Sequence, residues 1–325
     1  MSRIIITALV GAALTGAIGW FLLPVLRALK AGQSIRELGP TWHNHKAGTP
    51  MMGGLMFILS LILCLVGNIP TMKDYTVFYV LALSLCFGLV GFLDDFFKLK
   101  FKRNLGLTSA QKAMLQMAVS ALYLYLLYKQ DVMSCQLYIP FVEVTFQIHP
   151  LVYIFFAMFV MVGCVNAVNI TDGVDGLCGS VTVPVMVFFA AVAVAMGRYD
   201  LALLPATLTG GLLAYLFYNW HPAKVFMGDT GSLFLGGVVC ALAFALDMPL
   251  ILILVGFVYL CETLSVILQV GYFKLTHGKR IFKMAPIHHH FEMCGWNEEK
   301  IVYVFAGVTA AMCVLAWLGV GGMVG

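Results

Sequence analysis

Ten apolar runs constrain this chain before any single residue does. They fall near residues 4–26, 51–69, 76–93, 113–128, 151–168, 181–196, 201–218, 231–246, 249–273 and 301–321. Most approach the length of about 20 residues that a helix needs to cross the hydrocarbon of a bilayer. Lipid offers no partner to a backbone N–H or C=O, so each run is expected to be a helix that satisfies its own hydrogen bonds. The expected fold class is all-α: a polytopic membrane protein of about ten transmembrane helices, forming one integral-membrane domain over 1–325. Composition agrees, with 62% hydrophobic and 10% charged residues, against about 45–50% and about 25% in a soluble domain. A water-soluble globule and a disordered chain are both excluded. The first run, of about 23 residues, exceeds the roughly 7–15-residue core of a signal peptide, and no A-x-A site follows it, so it is expected to remain a membrane helix. Nine cysteines without a C-x-x-C pair indicate neither a disulfide framework nor a zinc ribbon.

Ten spans place both ends of the chain on one side, and the basic residues then say which side. Of nineteen Lys and Arg, only Arg3, Lys73, Lys129 and Arg198 fall on one side of the membrane; fifteen fall on the other. The positive-inside rule puts the fifteen in the cytoplasm and both termini outside. The stretch 129–150 alternates apolar and polar residues around Pro140 and reads as a short extracytoplasmic hairpin. Most carboxylates also gather at the cytoplasmic mouths of the spans. Asp74, Asp131, Glu143, Asp200 and Asp247 fall on the other side, and Glu262 alone lies well inside a run, the ninth, where an ionisable group is costly and no partner for it is apparent.

Several of these polar residues form patterns. Asp94 and Asp95 end the third run in GFLDDFFK. Adjacent helical residues diverge by about 100°, so the two carboxylates take different roles, one as a base and one as a metal or hydrogen-bond partner. The plain alternative is an interfacial pair neutralised by Lys98 and Lys102. Asn166, Asn169, Asp172 and Asp175 recur every third position in NAVNITDGVDG, a row in which neighbours share a helix face. Amides and acids at the mouth of a span suit a nucleotide or a metal ion, although capping and helix–helix hydrogen bonding would use the same residues. Asp229, in FMGDTGS, opens the eighth run. Free N–H groups there favour phosphate and the carboxylate would hold Mg²⁺, although a simple N-cap is equally compatible.

In APIHHHFE, His288, His289 and His290 could bind a transition metal, since alternate residues of an extended segment point the same way, or donate to a diphosphate. Lys46, in HKAGTPMMGG, sits beside a glycine-rich turn, where it could bind phosphate or snorkel to lipid headgroups. Gln269 is a further polar residue within the ninth run. No Ser-His-Asp, Walker A or H-E-x-x-H pattern is present. Acidic groups suited to Mg²⁺, basic and histidine donors and glycine turns thus gather at one membrane surface. That set fits phosphoryl chemistry on a diphosphate, with a second substrate arriving from the bilayer.

The blocks KAGTPMMGG, GFLDDFFK, NAVNITDGVDGL, FMGDTGSLFLGG and APIHHHFE, in this order between residues 46 and 292, resemble the phospho-N-acetylmuramoyl-pentapeptide transferase family. That family lies within the polyprenyl-phosphate N-acetylhexosamine-1-phosphate transferases. The resemblance implies transfer of phospho-MurNAc-pentapeptide from its UDP carrier to undecaprenyl phosphate, giving lipid I and UMP with Mg²⁺, at the cytoplasmic face of a bacterial inner membrane. It implies Asp229 as the Mg²⁺ ligand, with Asp94 and Asp95 near the reacting phosphates. Asn166, Asn169, Asp172 and Asp175 fall on the substrate side, with Phe226, Gly228 and Gln269 near the uridine. Lys46, His288 and His290 are implied as substrate-binding and His289 as catalytic. It also implies a homodimer, and no nucleic-acid partner is expected. Met51 stands where the family often has threonine, so that hydroxyl is absent here. A GlcNAc-1-phosphate transferase sibling is the nearest alternative. An ion-coupled transporter is a remote one, since its charged groups would sit near the midplane between internal repeats.

Overall fold

The computed structural model describes residues 1–29, 48–101 and 106–324. Helices α1 (Ser2–Ala28), α2 (Leu55–Asn68), α3 (Thr76–Phe101) and α4 (Ser109–Lys129) precede a hairpin of β1 (Gln136–Ile139) and β2 (Val144–Gln147). Then follow α5 (Pro150–Thr171), α6 (Leu177–Ala195), α7 (Tyr199–Asn219), α8 (Gly228–Ala245), α9 (Leu252–Val255), α10 (Phe257–Leu275), α11 (Ile287–Glu292), α12 (Glu298–Leu318) and α13 (Gly321–Val324). The expected all-α membrane fold is the observed one.

Eight of the described helices are long and apolar enough to cross a membrane: α1, α3, α5, α6, α7, α8, α10 and α12. The sequence runs suggest about ten. Of the other two, α2 has only 14 residues before a turn at Ile69–Thr71. Helix α4 has the length, at 21 residues, but carries Gln111, Lys112, Gln116 and three tyrosines and is less apolar. The ninth run is not one helix. Pro249 opens a turn of 3₁₀ helix, and the chain breaks again at Gly256 between α9 and α10, since proline cannot donate and glycine lacks the side chain that would stiffen the backbone.

Helix α8 is the axis of the bundle, with 83% of its apolar window buried against 22% for α1. Its sequence explains this, because small residues let neighbouring backbones approach. A Cβ on Gly236 would lie 2.6 Å from Val165 Cα of α5, and one on Gly237 would lie 2.9 Å from Ser84 Cα of α3. The closest approach is at the start of α8, where a Cβ on Gly91 of α3 would lie 2.1 Å from the Asp229 carbonyl oxygen. That contact sets the ends of α3 and α8 side by side.

The loops fall at two ends of the bundle. One end holds the hairpin, paired in the register Gln136↔Gln147 to Ile139↔Val144. There Phe141 N–H and Tyr138 O–H both donate to the Gly319 carbonyl, and Arg198 at the start of α7 donates to Asp74 and to the Ala245 carbonyl. The other end holds the close of α3, α5, α7 and α10 and the start of α4, α8 and α12. This is the grouping that the alternation of spans predicts, and every described motif block meets at the second end.

Candidate active site

Asp94 and Asp95 lie side by side at the end of α3 and are almost completely buried, yet they do different things. Asp95 accepts from the backbone N–H of Asp229 (3.2 Å) and Thr230 (2.9 Å) and from the Thr230 hydroxyl (2.7 Å). It therefore caps α8 from a neighbouring helix, satisfying amides that the helix itself leaves unpaired. Gly228 makes this possible: its φ of +74° and the 2.6 Å between its would-be Cβ and Asp95 Oδ2 leave no room for a side chain. Asp94 turns the other way. Its Oδ1 accepts from Leu107 N–H (2.8 Å), and its Oδ2 lies 2.6 Å from Lys98 Nζ.

Asp229, in the first turn of α8, completes the group. Its Oδ1 accepts from Asn169 Nδ2 (2.9 Å). Its Oδ2 receives Lys98 (3.1 Å) and Lys112 (2.5 Å). The sequence offers Lys98 and Lys102 as neutralising cations; Lys98 has that position, while Lys102 lies outside the described residues. Asp94, Asp95 and Asp229 each bring a carboxylate oxygen to within 4.8 Å of the others. Hard oxygen donors at this spacing suit Mg²⁺, so the residues present fit the ion that the resemblance implies.

The row of every third residue splits at this site into four separate roles. The Asn166 amide is paired with Gln116 of α4 (2.7 and 3.3 Å), a contact between helices. Asn169 holds Asp229 and Ser232. Asp175 accepts from Ala223 N–H (3.0 Å) and lies 3.1 Å from His221 Nδ1, while its own N–H donates to Glu298 of α12. Asp172, which caps the end of α5, accepts no hydrogen bond from any described residue. Its low-solvation position and the nearby charges of Asp229, Asp95 and Asp175 push its carboxyl well above the usual carboxylate range. A carboxyl whose titration is displaced by burial and neighbouring charges is a candidate for a functional group.

The three histidines do not share one face. Residues 287–292 form the short helix α11, where the sequence reading considered an extended segment. Successive side chains there diverge by about 100°. His288 points inward and is 1% exposed, its Nδ1 3.0 Å from Glu262 Oε2, which supplies the partner that Glu262 lacks in the sequence. His288 Nε2 lies against Gly173, where a Cβ would approach to 2.3 Å. His289 pairs with Glu292 (2.5 Å), and His290 Nδ1 accepts from Lys283 N–H (3.1 Å). The Gln269 amide is engaged by the 281–282 backbone: Oε1 accepts from Ile281 and Phe282 N–H, and Nε2 donates to the Phe282 carbonyl. Half-buried Phe226 donates its N–H to the Pro50 carbonyl and accepts from Gly53 N–H, joining the block 50–54 to the site. Lys46 lies outside the described residues.

Three members of these clusters stand outside the sequence motifs: Lys112, His221 and Glu298. Only Lys112 had a signal. Thr108 and Gln111 form a reciprocal capping box, readable as T-x-x-Q, which starts α4 at the same end of the bundle as GFLDDFFK.

Residues 76–247 match the profile of glycosyl transferase family 4, which sets the class of this membrane protein. A relative from Clostridium acetobutylicum is 47% identical over 301 residues, covering 92% of this chain and 93% of its own. Another, from Clostridium perfringens strain 13, is 48% identical over 320 residues, with 97% and 98% covered. A third, from Clostridium novyi, is 45% identical over 320 residues, with 98% and 97% covered. Each is named phospho-N-acetylmuramoyl-pentapeptide-transferase, and the chain belongs to that family.

Proposed function

We propose that this protein transfers phospho-N-acetylmuramoyl-pentapeptide from UDP-MurNAc-pentapeptide to undecaprenyl phosphate, forming lipid I and UMP in peptidoglycan synthesis. The observation that carries the reading is the buried meeting of Asp94, Asp95 and Asp229 with Lys98 and Lys112, in a chain of this family. Asp94 is the base or orienting group. Asp95 spends its oxygens on the α8 amides and the Thr230 hydroxyl, which leaves Asp94 to face the reactants. An oxygen of the lipid phosphate attacks the β-phosphorus of the UDP-sugar, and the bond from that phosphorus to the bridging oxygen breaks. The bridging oxygen leaves with UMP, in a single displacement. Mg²⁺ at Asp229 supplies neutralisation of the diphosphate charge when bound. Asn169 holds Asp229 in place, and Asp172 and Asp175 face or shape the nucleotide side.

The same reading makes 1–325 one catalytic domain, gives a homodimer, and places the site on the cytoplasmic side with both termini outside. The uneven division of Lys and Arg between the two ends supports that orientation.

UMP release by purified protein with polyprenyl phosphate and Mg²⁺ tests the reaction. Release with UDP-MurNAc-pentapeptide and none with UDP-GlcNAc is expected. Release only with UDP-GlcNAc would move the protein to the sibling chemistry.

A further inference from the structure

At the junction of α3, α4 and α8, three carboxylates face two ammonium groups, and the two cations are not held alike. Lys98 springs from α3 itself, and its Nζ is 2.6 Å from Asp94, 3.1 Å from Asp229 and 3.7 Å from Asp95. Lys112 comes from α4 and makes one short contact, 2.5 Å to Asp229 Oδ2; the next carboxylate, Asp94, is 3.8 Å away. Both ammonium groups therefore converge on a single oxygen, Asp229 Oδ2, while Asn169 takes Oδ1. A carboxylate oxygen offers about two lone-pair directions, and both on Oδ2 are in use. A Mg²⁺ ion needs its ligand oxygen at about 2.0–2.1 Å. It cannot share Oδ2 with two ammonium groups without three cations crowding one atom. One lysine must yield, and Lys112 has the fewer contacts.

We propose that Lys112 is a displaceable counter-ion. It holds Asp229 in the metal-free protein and gives up Asp229 Oδ2 when a divalent cation binds. Its ammonium then turns to the phosphates of the substrate diphosphate. No covalent bond changes in this exchange. The capping box fixes the start of α4, so the Lys112 backbone stays in place while its flexible four-carbon stem swings. The side chain is 17% exposed, open enough to move without unfolding the helix. Because the lysine competes with the metal and then serves the substrate, metal and diphosphate bind cooperatively through it. The inference rests on the divalent-metal reading above.

Mn²⁺ titration of the full-length protein in detergent, followed by electron paramagnetic resonance, gives a direct readout. Lys112→Met should bind Mn²⁺ about tenfold more tightly than wild type, because one competing ion pair is gone. Lys112→Arg, which keeps the charge, should stay near wild type. Unchanged or weaker Mn²⁺ binding in Lys112→Met would overturn the displacement. A second measurement needs no variant: reductive methylation of wild type with peptide mass spectrometry. Lys112 modification should rise several-fold on adding Mg²⁺, with Lys98 unchanged; a Lys112 insensitive to Mg²⁺ overturns the proposal. Wild type that binds no Mn²⁺ at all would instead refute the metal reading on which it rests.

Discussion

The two ends of the bundle treat their charges in opposite ways. At the hairpin end Asp74 and Asp200 each have their own partners. Arg198 meets Asp74 through two guanidinium nitrogens (2.8 and 3.1 Å), Arg3 meets Asp200 (3.0 Å), and the Lys73 and Asp74 amides donate to Asp200. Burial alone would raise the Asp74 carboxyl. Hydrogen bonds from Thr76 and the Arg198 guanidinium outweigh it and hold the group below its usual range. At the other end three carboxylates share two lysines, and Asp172 is pushed the opposite way. The same residue type is thus settled at one end and unsettled at the other. A fold does not need the second arrangement, which costs stability wherever a buried charge lacks a partner. It is the arrangement expected where charge on a substrate or metal is to be received.

Removing Asp229 gives the largest expected effect. Asp229→Ala should lower the rate of UMP release by about 10³-fold, the scale of losing a preorganised charge-stabilising group. Its Tm should stay within about 4 °C of wild type, since only one of three clustered carboxylates is lost. If Asp229→Ala turned over normally but melted early, the unsettled end would be a structural device and the comparison would collapse.

Next in size is the buried pair of Glu262 and His288. Glu262→Ala leaves the buried His288 Nδ1 without its hydrogen-bond partner, and losing one side of a buried hydrogen bond costs about 1–3 kcal/mol. Thermal unfolding should show that loss. UMP release should fall with it, because His288 packs on Gly173 next to Asp172. An unchanged Tm would mean that the Glu262–His288 contact does not bind α10 to the site.

Much of this architecture could be read in the sequence, and the remainder has physical reasons for being hidden. The apolar runs give the helices because lipid allows little else, and the alternation of loops gives the two ends. The break at Gly256 is less visible, since a run of uniform apolarity carries no period to interrupt. Asp94, Asp95 and Asp229 stand out as charges beside apolar runs. That Asp94 and Asp95 differ in role follows from the turn of the helix between them; which of the two caps α8 does not, because it depends on Gly91 and Gly228 letting α3 touch the start of α8. Asn166 and Asn169 look alike as members of one row, yet one faces Gln116 and the other Asp229. His221, in the loop after α7, and Glu298, at the start of α12, reach Asp175 from parts of the chain distant in sequence, so no local pattern names them, and for Lys112 the capping box places the helix start but not the partner. Glu262 and His288 were each conspicuous, but 26 residues apart nothing in the chain pairs them.

The settled end offers the control. Arg198→Ala should cost about 1–2 kcal/mol, the scale of a few partly exposed charge-assisted hydrogen bonds, and leave kcat and KM for UMP release at wild-type values. The stability loss is read from Tm. A change in KM would show that the two ends are coupled.

The smallest effect has the opposite sign and is the sharpest test of the comparison. Asp172 carries a carboxyl whose folded form holds its proton more tightly than the unfolded chain does. Its contribution to stability is therefore complete below the usual carboxylate range and is lost as pH rises through its elevated value. Asparagine has the same shape and never ionises. Asp172→Asn should match wild type in Tm near about pH 2.5, where the side chain is neutral in the folded and the unfolded chain alike. It should then exceed wild type by roughly 2 °C at neutral pH, equivalent to less than about 1 kcal/mol. The same substitution should weaken turnover at neutral pH if the carboxyl that burdens the fold also serves the reaction. A Tm gap that stayed flat with pH would place Asp172 among settled carboxylates such as Asp74. A gap that opens while activity falls would locate the cost of function in one side chain.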